Sequence, residues 1–214
     1  MSQILKRIQS LIYVMNKNNV DKTKVFTTIG ASNHSQGQRQ PEDFYATPPI
    51  AIDALLTGYP HLPKVIWEPC CGTGNLSMRL EQFGFTVIST DLIDRGYGQG
   101  GIDFLQTTSL PLDCSCILTN FPYKSILPMT LHALSLLPPG GVLCSFAKTT
   151  FLEGQARYHQ LFKENPPKYI LQFVKRINCG KDGVFSGSSA VSYAWFIWEK
   201  GFYGQPCLGW VNVE

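Results

Sequence analysis

The chain has 214 residues, of which 44% are hydrophobic and 15% are charged. A chain of this length buries one substantial core, which excludes several full domains but leaves room for an appendage. The net charge of +3 and the pI near 8.4 are compatible with a polyanionic partner, although they fall short of a pattern that demands one.

Residues 1–40 differ in composition from the rest of the chain. Apolar side chains recur at helical spacing in residues 1–15, and residues 16–40 are polar, which predicts an amphipathic helix followed by a linker. The helix is too short and too charged to span a bilayer, and it lacks a secretory cleavage site. We expect it to pack on the main domain, residues 41–214, with self-association or DNA contact as the alternatives.

The seven cysteines do not form the two-residue-spaced pairs of a zinc site, and most of them lie in apolar runs. This usage is typical of a reduced intracellular protein with buried thiols. We therefore expect a soluble cytoplasmic protein with no disulfide, no structural metal and no membrane partner.

From Pro41 onward, helical and strand-like segments alternate. Strand-like runs cover residues 64–67, 86–90, 116–120 and 141–147, and helical patterns cover residues 50–56, 76–85 and 126–137. This alternation predicts an α/β fold, with a mostly parallel sheet that carries helices on both faces. The β-type runs at residues 169–179 and 190–199 predict an antiparallel strand pair that completes the sheet.

Unusual residues follow the strands, where ligands bind in open parallel sheets. Glu68 ends the first strand, and Gly72 and Gly74 form a tight turn without the GxGxxG spacing of dinucleotide folds. The Glu68 carboxylate would repel a phosphate but attract the ammonium of an amino-acid-bearing cofactor.

Asp91 ends the second strand, where it can accept hydrogen bonds from ribose hydroxyls. Asp103 and Phe104 offer an acceptor and an aromatic face for adenine.

Several segments of the main domain carry a family resemblance. Glu68 to Asn75 (EPCCGTGN) resembles the S-adenosylmethionine-binding motif of Rossmann-like methyltransferases. Asn120 to Tyr123 (NFPY) resembles the (N/D/S)PP(Y/F) signature of enzymes that methylate adenine N6 or cytosine N4. Phe44 to Pro49 (FYATPP) precedes the glycine turn, as in the γ-type motif order. FLEGQAR, residues 151–157, and KRI, residues 175–177, resemble small phage-associated DNA N6-adenine methyltransferases.

The resemblance spans roughly residues 33–200 and implies a Rossmann-like methyltransferase fold with S-adenosylmethionine as the cofactor. The implied catalytic residues are Asn120, Phe121, Pro122 and Tyr123. The implied cofactor-binding residues are Tyr45, Thr47, Pro48, Glu68, Pro69, Cys70, Gly72, Gly74, Asn75, Asp91, Asp103, Phe104 and Asn120.

An exocyclic amine on a base is a poor nucleophile, because its lone pair is delocalised into the ring. Acceptors for both amine hydrogens favour the pyramidal form that can attack a sulfonium methyl group. The Asn120 side-chain oxygen and the Phe121 carbonyl would be these acceptors, and the Tyr123 ring would stack on the extruded base. Phe121 stands where proline is commoner, so the loop gives up the fixed φ of proline and is expected to be less preorganised.

We expect adenine N6 in DNA to be the target, with phosphate contacts from Lys124, Arg157, Lys175 and Arg176. Cytosine N4, adenine in RNA and protein glutamine amides remain alternatives, because related signatures serve all of these groups. A catalytically weak module that binds the cofactor or nucleic acid is a further alternative. The sequence leaves the oligomeric state open.

Overall fold

The computed structural model describes residues 45–179, 185 and 191–212. The predicted helix and linker over residues 1–40 lie outside this part of the chain, as does Phe44, so the predicted domain boundary stays a prediction. No helix in the described ranges combines the length and the apolar character needed to cross a membrane.

Helices and strands alternate through the first half of the described chain, as the sequence predicts. The helices are α1 (Ile50–Gly58), α2 (Asn75–Gln82), α3 (Ile126–Leu136) and the single turn α4 (Gln155–Arg157). The strands are β1 (Val65–Glu68), β2 (Thr86–Ser89), β3 (Cys116–Thr119), β4 (Val142–Lys148), β5 (Tyr169–Phe173), β6 (Tyr193–Glu199) and β7 (Cys207–Val211). Short 3-10 turns cover Phe104–Gln106 and Thr149–Leu152, and a π turn covers Tyr158–Phe162.

The strands form one seven-stranded sheet in the order β2-β1-β3-β4-β6-β5-β7. Neighbouring strands run parallel except at β6, which is antiparallel to both β4 and β5. The predicted mostly parallel sheet with an antiparallel C-terminal strand pair is therefore confirmed. The predicted runs 169–179 and 190–199 supply this pair, although the strands themselves are shorter than the runs.

Strand β7 has no counterpart among the predicted elements. It pairs in parallel with β5, from Tyr169 opposite Cys207 to Phe173 opposite Val211. Leu208 and Trp210 remain 52% and 69% exposed at the sheet edge, whereas Val211 is buried. Apolar and polar residues do not alternate along the β7 sequence, CLGWV. The segment therefore lacks the period-two pattern that would identify it as a strand.

Two apolar clusters fill the space between the sheet and its helices. Ile52, Leu55 and Leu80 bring α1 and α2 onto one face, and Ala133 and Leu134 bring α3 onto the other. The Trp195 indole donates a hydrogen bond to the Ala51 carbonyl at 2.8 Å, which ties β6 to α1. Both faces are thus covered, as expected for strands that are nearly continuous apolar runs.

The order of the strands defines where a ligand can enter. Strand β1 has β2 on one side and β3 on the other, so the connections out of β1 and β2 run in opposite directions across the sheet. At such a switch point a crevice opens beyond the carboxyl ends of the strands. Glu68, Asp91 and Asn120 end or follow β1, β2 and β3, which places them at this crevice.

Candidate functional site

The glycine turn after β1 is held in shape by Asp91. The Gly72 amide donates to Asp91 Oδ2 at 2.8 Å, and the Ile93 amide donates to Asp91 Oδ1 at 2.9 Å. Gly74 has φ +81, and a Cβ there would lie 2.4 Å from the Tyr97 ring. Gly74 is therefore required for the close packing of Tyr97 on the start of α2, and it is absent from the pocket wall.

Glu68 is buried in the floor of the crevice, with 2% of its surface exposed. The Ser77 hydroxyl donates to Glu68 Oε2, and the Ser77 and Ser89 hydroxyl oxygens are 2.6 Å apart. Burial raises the pKa of the Glu68 carboxyl to about 8, and the nearby Asp91 charge adds to the rise. Without a cation beside it the carboxyl is thus protonated at neutral pH, and a bound ammonium would favour its ionised form.

The raised pKa of Glu68 predicts a pH-dependent stability. Unfolded Glu68 ionises near pH 4.5 and folded Glu68 near pH 8, so its protonated form stabilises the fold below pH 4.5. This contribution is lost as the pH rises toward 8. We expect Glu68→Gln to have a higher free energy of unfolding than the wild type. The difference should grow by up to about 1.4 kcal/mol for each unit by which the pH rises between 4.5 and 8.

Urea unfolding at about pH 5.5, 7 and 8 measures this difference. Glu81→Gln is the matched control, because it removes the same charge from an exposed carboxylate. Parallel stability curves for the wild type and Glu68→Gln over this range would contradict the assignment.

Fourteen predicted site residues surround one pocket at the carboxyl ends of β1, β2 and β3. The pocket encloses about 900 Å³, a volume that includes its open mouth. The predicted residues that line it are Tyr45, Thr47, Glu68, Pro69, Cys70, Gly72, Asn75, Asp91, Asp103, Phe104, Asn120, Phe121, Pro122 and Tyr123. Pro48 and Gly74 are the predicted cofactor residues outside the lining; the Pro48 carbonyl accepts from the Ala51 amide at the start of α1.

Asn120 follows β3, and its side-chain amide group donates two hydrogen bonds. Its Nδ2 donates to the Thr47 hydroxyl at 2.9 Å and to the Tyr45 carbonyl at 3.4 Å. Because a carbonyl only accepts, this contact fixes which end of the amide faces Tyr45. Asn120 Oδ1 is buried and has no hydrogen-bond partner among the residues that the structure describes. The side-chain oxygen of Asn120 is therefore a buried acceptor that can still receive a hydrogen bond.

Phe121 anchors the loop that carries Asn120. Its side chain is 1% exposed, and its ring stacks on Phe104 with the centroids 5.6 Å apart. Phe104 in turn meets the edges of Trp67 and His132 at 5.2 and 5.0 Å. A buried aromatic ring thus anchors this loop at the position where a proline would fix φ, and the expected lower preorganisation of the loop stays a prediction.

Phe104 has a larger structural role than its predicted contact with adenine suggests. It lines the pocket, but only 2% of its surface is exposed and its ring packs among three other rings. Asp103 is partly exposed, and its Oδ1 accepts from the Leu105 amide at 3.0 Å. The contacts of both residues with a cofactor stay predictions.

The predicted phosphate-binding cations follow the carboxyl ends of β3, β4 and β5, at the same edge of the sheet as the pocket. Lys124, Lys175 and Arg176 are exposed. Arg157 instead braces its own loop, since its Nη2 donates to the Thr150 carbonyl at 3.2 Å and its Nε donates to the Glu153 carbonyl. A phosphate contact is compatible with all four positions and stays a prediction.

The pocket also contains residues that the sequence prediction missed. Exposed Leu92 and partly buried Ile93 follow Asp91 on the wall, and an apolar pair directly after a predicted ribose ligand could have indicated a surface for a ring. The other lining residues that were not predicted are Ala46, Cys71, Thr73, Leu76, Arg95, Ile102 and Met129. Met129 comes from α3, where no local motif points to the site.

All seven cysteines are free thiols, and four of them are buried. Burial raises the pKa of the pocket residue Cys71 to about 12, so its thiol stays protonated at neutral pH. Cys207 on edge strand β7 is exposed, contrary to the expectation of mostly buried thiols for this position.

Solved structures share this architecture. The chain matches a protein of Listeria monocytogenes assigned to the class I S-adenosylmethionine-dependent methyltransferases, with a TM-score of 0.50 and 15% identity over 88% of this chain and 69% of that one. It also matches the M protein of the type I restriction enzyme EcoKI, with a TM-score of 0.52 and 16% identity over 75% of this chain and 44% of that one. The fold is that of the class I methyltransferases.

The same fold occurs in a protein of Lactococcus lactis assigned as a hemolysin, with a TM-score of 0.52 and 12% identity over 76% of this chain and 91% of that one. No family model and no curated protein matches the chain. The similarity to class I methyltransferases therefore establishes the fold, whereas the activity depends on the chemistry of the site.

The structure predicts a measurable role for Asp91 in cofactor binding. We expect Asp91→Ala to weaken S-adenosylmethionine binding by about 1–3 kcal/mol, because a charged acceptor for the ribose and the brace of the glycine turn are both lost. Asp94→Ala is the matched control, since the Asp94 carboxylate accepts from the Gly96 amide at 2.9 Å but lies outside the pocket lining. If calorimetry gives the same S-adenosylmethionine affinity for the two variants, Asp91 does not contribute to cofactor binding.

Proposed function

We propose that the protein transfers the methyl group of S-adenosylmethionine to an exocyclic amino group, with adenine N6 in DNA as the preferred target. The observation that carries this proposal is the buried Oδ1 of Asn120 at the pocket, which has no hydrogen-bond partner within the described part of the chain. An acceptor of this kind is complementary to an amine hydrogen, and an unsatisfied buried acceptor costs free energy until a donor arrives.

The pocket residues fit the chemical groups of S-adenosylmethionine. Glu68 offers a carboxyl whose ionised form a bound ammonium would favour, and Asp91 offers carboxylate oxygens with lone pairs left for ribose hydroxyls. Leu92 and Ile93 offer an apolar wall for a ring. The cofactor would supply an electrophilic methyl group next to Asn120.

The chain's own residues prepare the amine for attack. Asn120 Oδ1 accepts one amine hydrogen, while the donor bonds of Nδ2 to Tyr45 and Thr47 keep the amide from rotating. The Phe121 carbonyl is the second acceptor in this proposal, and the buried Phe121 ring fixes its position. Two acceptors draw the lone pair out of conjugation, and this arrangement costs no reorganisation when charge develops. As the nitrogen–methyl bond forms, the methyl–sulfur bond would break, and the methylated amine, which is then acidic, releases its proton to water.

Two observations favour a nucleic acid as the substrate. Exposed Lys124, Lys175 and Arg176 lie at the same sheet edge as Asn120, where phosphates would flank a base bound there. In addition, one protein that shares the fold is the M protein of a restriction enzyme, a class of system that acts on DNA. These points support DNA over a protein amide.

A transfer assay with methyl-labelled S-adenosylmethionine tests the proposal. Duplex DNA, single-stranded DNA, RNA and a glutamine-rich protein are each incubated with the enzyme, and the label in each polymer is counted. We expect most label in DNA. Cofactor binding without label in any polymer would support the non-catalytic alternative. Label mainly in RNA or in protein would identify that polymer, and not DNA, as the substrate.

A further inference from the structure

Lys148 places a cation directly over the aromatic ring of the candidate catalytic loop. It is the last residue of β4, the strand next to β3, and its side chain is partly buried. Its Nζ lies 4.1 Å from the centroid of the Tyr123 ring. Tyr123 lines the pocket but Lys148 does not, so the ammonium lies beside the ring and outside the cofactor pocket.

The Tyr123 ring is held in position by its neighbours. Its hydroxyl donates to the Tyr193 hydroxyl at 3.2 Å, and the Tyr45 ring lies 5.8 Å away at a tilt of 31°. Tyr193 is the residue paired with Lys148 across β4 and β6. The ammonium and the ring it covers are therefore fixed by the same pair of strands, next to Asn120.

A cation and a base compete for the same surface of an aromatic ring. The negative π face that attracts an ammonium is also the face on which a nucleobase stacks. Stacking buries a larger area than contact with a single ammonium, so a base can replace the cation at this face. An ammonium displaced by a base stacked on Tyr123 would remain within reach of the edge of that base.

We propose that Lys148 is a substrate-contacting, specificity-determining residue: the target base takes the place of its ammonium over Tyr123, and the ammonium then donates a hydrogen bond to a ring nitrogen of the base. This inference rests on the proposed function. Adenine N1 and N7 flank the amino group and are acceptors, so the contact would orient the amine toward Asn120. A charge-assisted hydrogen bond to the base is stronger than the cation–π contact that it replaces, so loss of Lys148 weakens substrate binding.

The test compares Lys148→Met with Lys148→Arg and with Lys64→Met in steady-state methylation of an oligonucleotide. Lys64 is the matched control, because its Nζ also lies over an aromatic ring, 5.2 Å from Phe85, but it precedes β1 at the opposite sheet edge. We expect Lys148→Met to raise KM for the oligonucleotide about tenfold, with the cofactor dissociation constant unchanged. Lys148→Arg keeps a cation and a donor and should recover most of the loss, and Lys64→Met should match the wild type.

Substrate analogues separate a base contact from a phosphate contact. In the wild type, either 1-deazaadenine or 7-deazaadenine at the target should raise KM as Lys148→Met does, and the same analogue should have no further effect in Lys148→Met. A salt dependence of binding that is less steep in Lys148→Met by about one unit indicates a lost phosphate contact and would overturn the base contact.

Each remaining outcome also decides the question. A KM for Lys148→Met within twofold of the wild type would overturn the inference while the proposed function stands. Equal losses of cofactor and oligonucleotide binding in Lys148→Met would show a structural role and would overturn it as well. If Lys148→Met does not fold, Lys148→Gln takes its place in the same comparison. A wild-type protein that methylates no nucleic acid would overturn both proposals together.

Discussion

Asn120→Ala should lower kcat/KM for methyl transfer by about 10²–10³-fold, an effect of the size seen when one preorganised transition-state contact is removed. The variant loses the buried Oδ1 acceptor and the donor bonds to Thr47 and Tyr45. The dissociation constant of S-adenosylmethionine should change by much less, because Glu68 and Asp91 remain in place. Single-turnover kinetics and calorimetry measure the two quantities separately.

Asn120→Asp is the informative companion variant. Aspartate keeps an acceptor oxygen but has no donor for the Tyr45 carbonyl, so we expect activity between those of the wild type and Asn120→Ala. Turnover of Asn120→Ala at the wild-type rate would show that Asn120 Oδ1 does not accept from the substrate amine.

Phe121→Ala should destabilise the fold by about 3–5 kcal/mol, the cost of deleting a buried phenylalanine ring. The ring is 1% exposed and stacks on Phe104, so its loss leaves a cavity under the candidate catalytic loop. Urea unfolding gives the free energy difference directly.

Phe83→Ala provides the matched control for Phe121→Ala. Phe83 is 45% exposed, and its main ring contact is with the Arg79 guanidinium at 4.8 Å, so we expect a change within about 0.5 kcal/mol. A Phe121→Ala protein as stable as Phe83→Ala would mean that Phe121 does not anchor the loop.

The position of the site follows from the sequence because it depends on strand ends. Glu68, Asp91 and Asn120 each end or follow an apolar run, and parallel strands bring such positions to one edge. The structure places all three in one pocket. The antiparallel pairing of β5 and β6 was predictable for a similar reason, since both are long apolar runs without an intervening helical pattern.

Features that depend on three-dimensional burial were not predictable from local patterns. The raised pKa of Glu68 results from its burial, which outweighs the lowering effect of the Ser77 hydrogen bond, and no spacing rule encodes this burial. From the sequence, Phe121 could only be interpreted as a substitution at a position where proline is commoner. Its packing on Phe104 was not predictable, because the two residues belong to segments that are distant in sequence. Edge strand β7 lacks the alternation that marks a half-buried strand, so pairing with β5 alone defines it.

The most direct test of the central claim is the identity of the methylated atom. Duplex DNA is incubated with the protein and S-adenosylmethionine that carries a deuterated methyl group, and the digested nucleosides are separated and weighed by mass spectrometry. We predict deuterated N6-methyldeoxyadenosine with the wild type and a strong decrease with Asn120→Ala. A deuterated methyl group on a base carbon or a ring nitrogen, or equal yields from the two proteins, would contradict an exocyclic amine activated by Asn120.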